Sequence, residues 1–161
     1  MPMSASQRSF GPQPDAACLS GVAILMSRGK FAWKGGASCR FAFIDNKILF
    51  IELGSLTTQR SRLRALVRDT LVDNGWRKAA RFDGYDVAIL LTVDNISRRI
   101  DADNVAKALL DALTGLVWQD DRQIRRLVVE KEVGSGPAIT LRAMPYEGGS
   151  LQKQFARHLA V

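Results

Sequence analysis

At 161 residues, 47% of them hydrophobic, the chain can build one substantial core and is too short for two. Its 23 Lys and Arg against 16 Asp and Glu leave a net charge of +7 and a pI near 9.9, which favours an anionic partner, nucleic acid first, through counterion release. Two cysteines, Cys18 and Cys39, with the single His158 exclude a zinc framework. No apolar run reaches the roughly 18–20 residues that cross a bilayer, and no basic leader precedes the mildly apolar residues 16–26, so a cytoplasmic protein is expected.

Residues 1–14, rich in Ser, Gln, Gly and Pro, have little to bury and are expected to be disordered or loosely attached. Between 17 and 46, short apolar stretches at 22–26 and 41–44 are interrupted by Gly29, Gly35 and Gly36, and no element is assigned. The β-branched and aromatic run at 47–53, closed by Gly54, reads as the first strand. Thr57 or Thr58 then caps a helix over 59–80, with Leu63, Leu66, Val67, Thr70 and Leu71 on one face, although Asn74 and Gly75 threaten its end.

Residues 85–93 are apolar almost throughout, as a central strand covered on both faces would be. A second helix over 103–113, a strand over 123–133, a turn at 134–137 and a last strand over 138–143 follow, with a short amphipathic helix expected at 151–161. The order β-α-β-α-β-β predicts an α+β fold: a mixed β-sheet with helices packed on it, a parallel crossover and a final hairpin adding an antiparallel edge. The domain expectation is an N-terminal extension at 1–46, partly disordered, a main folded domain at 47–145 and a tail at 146–161 that could form a short helix.

Chemistry concentrates around the second helix. Asp101 and Asp103 are two residues apart, so in an extended segment both carboxylates project to one side and can share an ion. Asp120 and Asp121 follow the helix, and a chain that turns back on itself would bring acids from both ends together. With no His or Cys at hand, oxygen ligands point to a hard cation such as Mg²⁺, which keeps positions open for substrate phosphate. Flanking arginines suggest that phosphate is the substrate group. Asp103-Asn104 alone would more often be a helix cap, because such side chains accept orphan backbone N–H groups. Capping requires neither Asp101 nor the later pair. Lys107 shares a face with Asp103 and Asp111, either as an exposed ion-pair ladder of little energetic weight or as a cation facing the scissile phosphate.

Asp101-Ala102-Asp103-Asn104, then Lys107, Asp111-Ala112-Leu113, Gly115, Trp118 and Asp120-Asp121-Arg122-Gln123-Ile124 resemble the signature of the RusA family of Holliday-junction resolvases in order, spacing and residue type. The close match covers about 98–131. The resemblance implies a homodimeric, magnesium-dependent endodeoxyribonuclease of DNA recombination and repair that cuts branched DNA, four-way junctions above all, by paired nicks. Carried over residue by residue, the resemblance implies that Asp101, Asp103 and Asp121 are the metal-binding and catalytic acids, that Lys107 is the neighbouring basic catalytic residue, and that Asp120 is the weaker candidate. Mn²⁺ is the alternative ion. Two departures stand out. Gly54-Ser55-Leu56-Thr57 follows the first strand where family members commonly carry a Pro-rich segment, and Ile100 occupies a position that is often basic.

The implied reaction is metal-assisted phosphodiester hydrolysis, which needs no side-chain nucleophile. Expected DNA contacts are Arg98, Arg99, Lys107, Arg125, Arg126 and Lys131, with Arg60, Arg62, Arg64 and Arg68 as a second group that reads more simply as a solvated helix face. Trp118 is expected to anchor the core beside the site. A phosphatase using Asp-x-Asp would need the pair directly after an apolar strand, and a calcium loop would need Gly and a further acid where Val105 and Ala106 stand. The remaining competitor is a catalytically inactive module of the same fold that binds DNA junctions.

Overall fold

The computed structural model describes residues 32–57, 59–95, 100–148 and 151. Arg98, Arg99, Thr58, Cys18, His158, the 1–14 segment and nearly all of the expected 151–161 helix lie outside the described residues. The elements run β1 (Lys34–Gly35), β2 (Cys39–Ile44), β3 (Ile48–Leu53), α1 (Arg60–Asp73), β4 (Tyr85–Val93), α2 (Ala102–Leu113), a 3-10 turn (Asp121–Gln123), β5 (Ile124–Val133) and β6 (Ile139–Pro145). They form one six-stranded mixed sheet, ordered β1-β2-β3-β6-β4-β5, and so an α+β fold.

Alternation sets the face that carries the helices. Phe41, Ile51, Leu141 and Ile89 line up across four strands, as do Cys39, Leu53, Ile139 and Leu91, and all are nearly or wholly buried. Leu63, Val67 and Leu71 of α1 and Val105, Leu109, Ala112 and Leu113 of α2 close over them. On β4 the opposite face, with Ala88, Leu90 and Thr92, is half-buried, so the strand is fully covered on one side only.

The sheet begins at Lys34, ahead of the expected domain start at residue 47. Asp45 and Asn46 adopt φ of 48° and 55°, left-handed values those two residue types tolerate, and Lys47 N–H donates to the Ile44 carbonyl at 2.9 Å. That tight turn folds β2 onto β3 in a stretch to which the sequence assigned nothing.

Helix α1 stops at Asp73 rather than near residue 80. Gly75, at φ 83°, permits a left-handed exit in which Trp76 N–H reaches the Leu71 carbonyl at 2.8 Å and Gly75 N–H the Val72 carbonyl at 3.2 Å. Its N-cap is Gln59, with no side-chain capping bond; Thr57 Oγ1 instead accepts from Gln59 N–H.

The final hairpin is not formed. β5 closes a parallel crossover against β4 and is an outer strand, while β6 inserts antiparallel between β3 and β4. The side chains explain the exchange. β6 offers the uncharged, wholly buried Ile139 and Leu141 to the centre, whereas β5 carries Arg125, Arg126, Glu130, Lys131 and Glu132, charges that suit an edge.

Trp118 is completely buried, its ring 5.3 Å from that of Tyr85 and its indole N–H donating to Thr114 Oγ1 at 3.1 Å. Tyr85 Oη donates to the Val117 carbonyl at 3.0 Å. The return loop after α2 is thereby tied to the start of β4, and truncating Trp118 to Ala should cost about 3–5 kcal/mol.

Candidate metal centre

Lys131 on β5 fixes the entry to α2, its Nζ donating to the carbonyl of Ile100 at 2.9 Å, while the Ile100 side chain is buried. The next residue, Asp101, is the N-cap, in extended conformation with its carbonyl accepting from Val105 N–H, yet its side chain makes no capping bond. Asn104 Nδ2 donates to Asp101 Oδ2 instead. Asp103 sits in the first turn, where the helix dipole favours an acid. Both carboxyls are exposed.

The two acids press on each other. Hydrogen bonding between their carboxyls, then partial desolvation and the neighbouring negative charge, raise Asp101 above the ordinary carboxylate range. The same bond lowers Asp103, with help from the positive charge of Arg60. Two exposed carboxyls hydrogen-bonded to each other are oxygen donors whose mutual repulsion a hydrated divalent cation would relieve, which fits the open coordination Mg²⁺ prefers.

Asp120 is arranged differently. It caps the 3-10 turn, Oδ1 accepting from Arg122 N–H at 2.8 Å and from Arg122 Nε at 2.9 Å, and Oδ2 from Arg122 Nη2 at 2.8 Å. That guanidinium holds its carboxyl well below the usual range. Gln123 completes a capping box: its Oε1 accepts from Gln119 and Asp120 N–H, and its Nε2 donates to the carbonyls of Arg81 and Asp83. Asp120 is therefore a structural residue, and the exposed Asp121 beside it is presented by the turn rather than consumed by it. The role of Gln123 is one the sequence reading missed, although Asp120-x-x-Gln123 has capping-box spacing.

Within one chain the acids do not converge. α2 spans 12 residues, roughly 18 Å at 1.5 Å per residue, and Asp101 and Asp121 flank its opposite ends. The sheet register agrees: Ile124 pairs with Tyr85, at the start of β4, whereas Lys131, which holds Ile100, pairs with Leu91 near its end. The separation is on the order of 20 Å for seven residues of strand. Among the described residues no three potential ligands stand close enough to hold a metal. The expectation that the chain would turn back to unite Asp101, Asp103 and Asp121 is thus corrected for a single subunit: the unbroken 12-residue helix lies between them, and β5 returns parallel to β4.

Several basic candidates have structural partners. Arg68 Nη1 donates to the carbonyls of Ala112 and Thr114, satisfying the C-terminus of α2, and Arg64 lies 3.9 Å from Asp111. Arg126 lies 3.6 Å from the mostly buried Asp86, which Arg142 also approaches at 3.5 Å. Arg125 packs its chain under Gly84 and its guanidinium toward the Tyr146 ring. Lys107 is exposed, and among the described residues no ion pair within 4.0 Å joins it to Asp103 or Asp111, so the ladder reading of that face does not hold.

No helix among the described residues is long and apolar enough to cross a membrane. Compared with known protein families, residues 60–143, just over half of the chain, match the family model described as endodeoxyribonuclease RusA. No curated protein matches the chain.

Proposed function

The chain belongs to the RusA family of endodeoxyribonucleases, and from that premise we propose that it is a magnesium-dependent Holliday-junction resolvase, active in the cytoplasm as a homodimer, that hydrolyses branched DNA by paired nicks in recombination and repair. The observation that carries the reading is the Asp101–Asp103 pair, two carboxyls exposed together at a helix start, with the Asp101 side chain making no capping bond and its charged form disfavoured by its neighbour. A divalent cation bound there, Mg²⁺ or alternatively Mn²⁺, would supply Lewis-acid polarisation of the phosphodiester and acidification of an attacking water.

The chain's own groups do the rest. Asp101 and Asp103 are the ligands from the start of α2, Asn104 orients Asp101, and Lys107, one turn further along the exposed face, meets negative charge developing on the phosphate. Asp121 is the third acid. Since it lies at the far end of α2 in its own subunit, a complete site requires Asp121 from a second copy, which makes the dimer a condition of catalysis as well as of symmetry. Lys131, Arg125 and Arg126 contribute positive charge to the DNA-facing surface beside their structural bonds, with Arg98 and Arg99 as further contacts.

Cleavage of a labelled four-way junction in Mg²⁺ tests the reading. Wild type should cut, and Asp103→Asn should lose cutting while retaining binding, since removing a negative charge does not weaken contact with phosphate. Equal cutting by both proteins would remove Asp103 from the mechanism, and binding without any cutting by wild type would leave an inactive junction-binding module.

A further inference from the structure

We propose that Phe82 is a specificity-determining residue: its ring stacks on a base uncovered at a branch point and so favours branched DNA over plain duplex. The inference rests on the nuclease reading and on Asp121 belonging to the cleavage site. Phe82, 84% exposed, is the most exposed large apolar side chain among the described residues, well ahead of Val133 at 60%. A single exposed apolar side chain is ordinary on a protein surface. What sets Phe82 apart is that its backbone is pinned on both sides while its ring is left in water.

Gln123 Nε2 donates to the carbonyls of Arg81 and Asp83, at 2.7 and 2.9 Å, and so straddles Phe82. On one flank, Arg81 N–H donates to the Val117 carbonyl at 3.0 Å; on the other, the Gly84 carbonyl accepts Tyr146 N–H at 2.8 Å. Arg81 Nε also donates to Asp83 Oδ2 at 2.6 Å, which closes the three residues on themselves, side chain to side chain. A loop with loose backbone groups could fold its Phe back onto the core. This one holds the ring out, and a ring already fixed in place loses little freedom when a partner lands on it.

The same clamp ties Phe82 to Asp121. Gln123 closes the 3-10 turn that begins at Asp121, and from the same return loop Gln119 Nε2 reaches the Ala80 carbonyl at 3.1 Å. A base over Phe82 therefore belongs to a nucleotide close to the phosphate that Asp121 serves, and the largely exposed Arg122 stands in the same turn to meet the strand. Stacking on an aromatic face tolerates any sequence, since every base has a π-face. In continuous duplex both faces of each pair are already covered. When the arms of a junction open, the terminal pair of each arm bares one face, so an exposed ring beside the cleavage site reads branching and is indifferent to base identity.

Binding of full-length Asp103→Asn protein to a four-way junction with 2-aminopurine in the terminal pair of one arm, and to the matching duplex, tests the role without cleavage. With Phe82 present, binding should raise the 2-aminopurine fluorescence severalfold as that base leaves its stack. Adding Phe82→Ala should abolish the rise and lower junction affinity about tenfold, the order of one base–aromatic stack, with duplex affinity and melting temperature unchanged; adding Phe82→Trp should keep both signals. A Phe82→Ala protein with undiminished junction preference and fluorescence overturns the proposal, as does one that loses junction and duplex affinity alike. If the Phe82-dependent signal is present but the otherwise wild-type protein cuts nothing in Mg²⁺, the stacking role stands and the nuclease reading falls; if junctions are cut with no dependence on Phe82, the reverse holds.

Discussion

Asp101 and Asp103 bring two carboxyls together at one end of α2, held by the Asn104 amide and backbone N–H groups of the first turn and by no cationic side chain in hydrogen-bond contact, whereas Asp120 at the other end gives both oxygens to Arg122 and the cap of a 3-10 turn. The first pair is electrostatically unfinished and the second is finished without Asp121. A pair that destabilises itself in the absence of a cation is what a binding site looks like, while a satisfied cap is what a scaffold looks like. The contrast separates the acids that would hold metal from the acid that holds the turn, a distinction that adjacency in sequence conceals.

The largest expected effects come from removing ligands. Asp103→Asn and Asp121→Asn should each reduce junction cleavage on the order of 100-fold or more, because metal charge stabilisation amounts to several kcal/mol and each ~1.4 kcal/mol is a factor of ten. Asp120→Asn should act mainly through the turn and fall well short of that; a loss as large as that of Asp121→Asn, measured in the same assay with the fold verified by circular dichroism, would erase the distinction between the neighbours.

Supporting residues should come next. Gln123→Ala removes four hydrogen bonds around the turn, and Asn104→Ala frees the Asp101 side chain. Each should lower cleavage roughly 10- to 100-fold, as partners of metal ligands generally do. Thermal melts should tell them apart: Gln123→Ala should lose about 1 kcal/mol of stability, and Asn104→Ala should lose less, its bond being exposed.

The smallest effects carry opposite signs. In metal-free protein, Asp101→Asn should raise the melting temperature slightly by removing a repulsion, and Asp120→Asn should lower it by removing the Arg122 partner. The pH dependence follows the same logic. Asp101 is raised, so its contribution is fully present below the ordinary carboxylate value and is lost as pH rises through the raised one; Asp120 is lowered, so its contribution is present above the ordinary value and is lost only as pH falls through the depressed one. Carbon-13 titration of the side-chain carboxyls should find Asp101 protonating first on acidification and Asp120 much later. The reverse order would contradict the contrast.

Periodicity made much of the fold legible. Residues 85–93 read as a strand and are one, and the alternating and helical patterns located β3, α1, α2, β5 and β6 to within a few residues except at the end of α1. The hairpin at Asp45–Asn46 was hidden because Gly35 and Gly36 interrupt the pattern and the turn depends on two residues taking positive φ. Strand order was hidden as well, since a parallel β5 and an inserted β6 have the same local patterns as a hairpin. At the site, the motif singled out the candidate acids, but spacing along the chain said nothing of the helix that keeps Asp121 from Asp101 and Asp103.

Subunit complementation tests the central claim most directly. Asp103→Asn and Asp121→Asn proteins, each inactive alone, are co-refolded so that mixed dimers form. If the acids meet across two subunits, a mixed dimer contains one intact set, with Asp101 and Asp103 from one chain and Asp121 from the other, and single-strand nicking of the junction should return to a substantial fraction of wild type. If mixed dimers form and nicking stays at the level of the separate variants, the acids do not meet across the interface, and the two-subunit site is wrong.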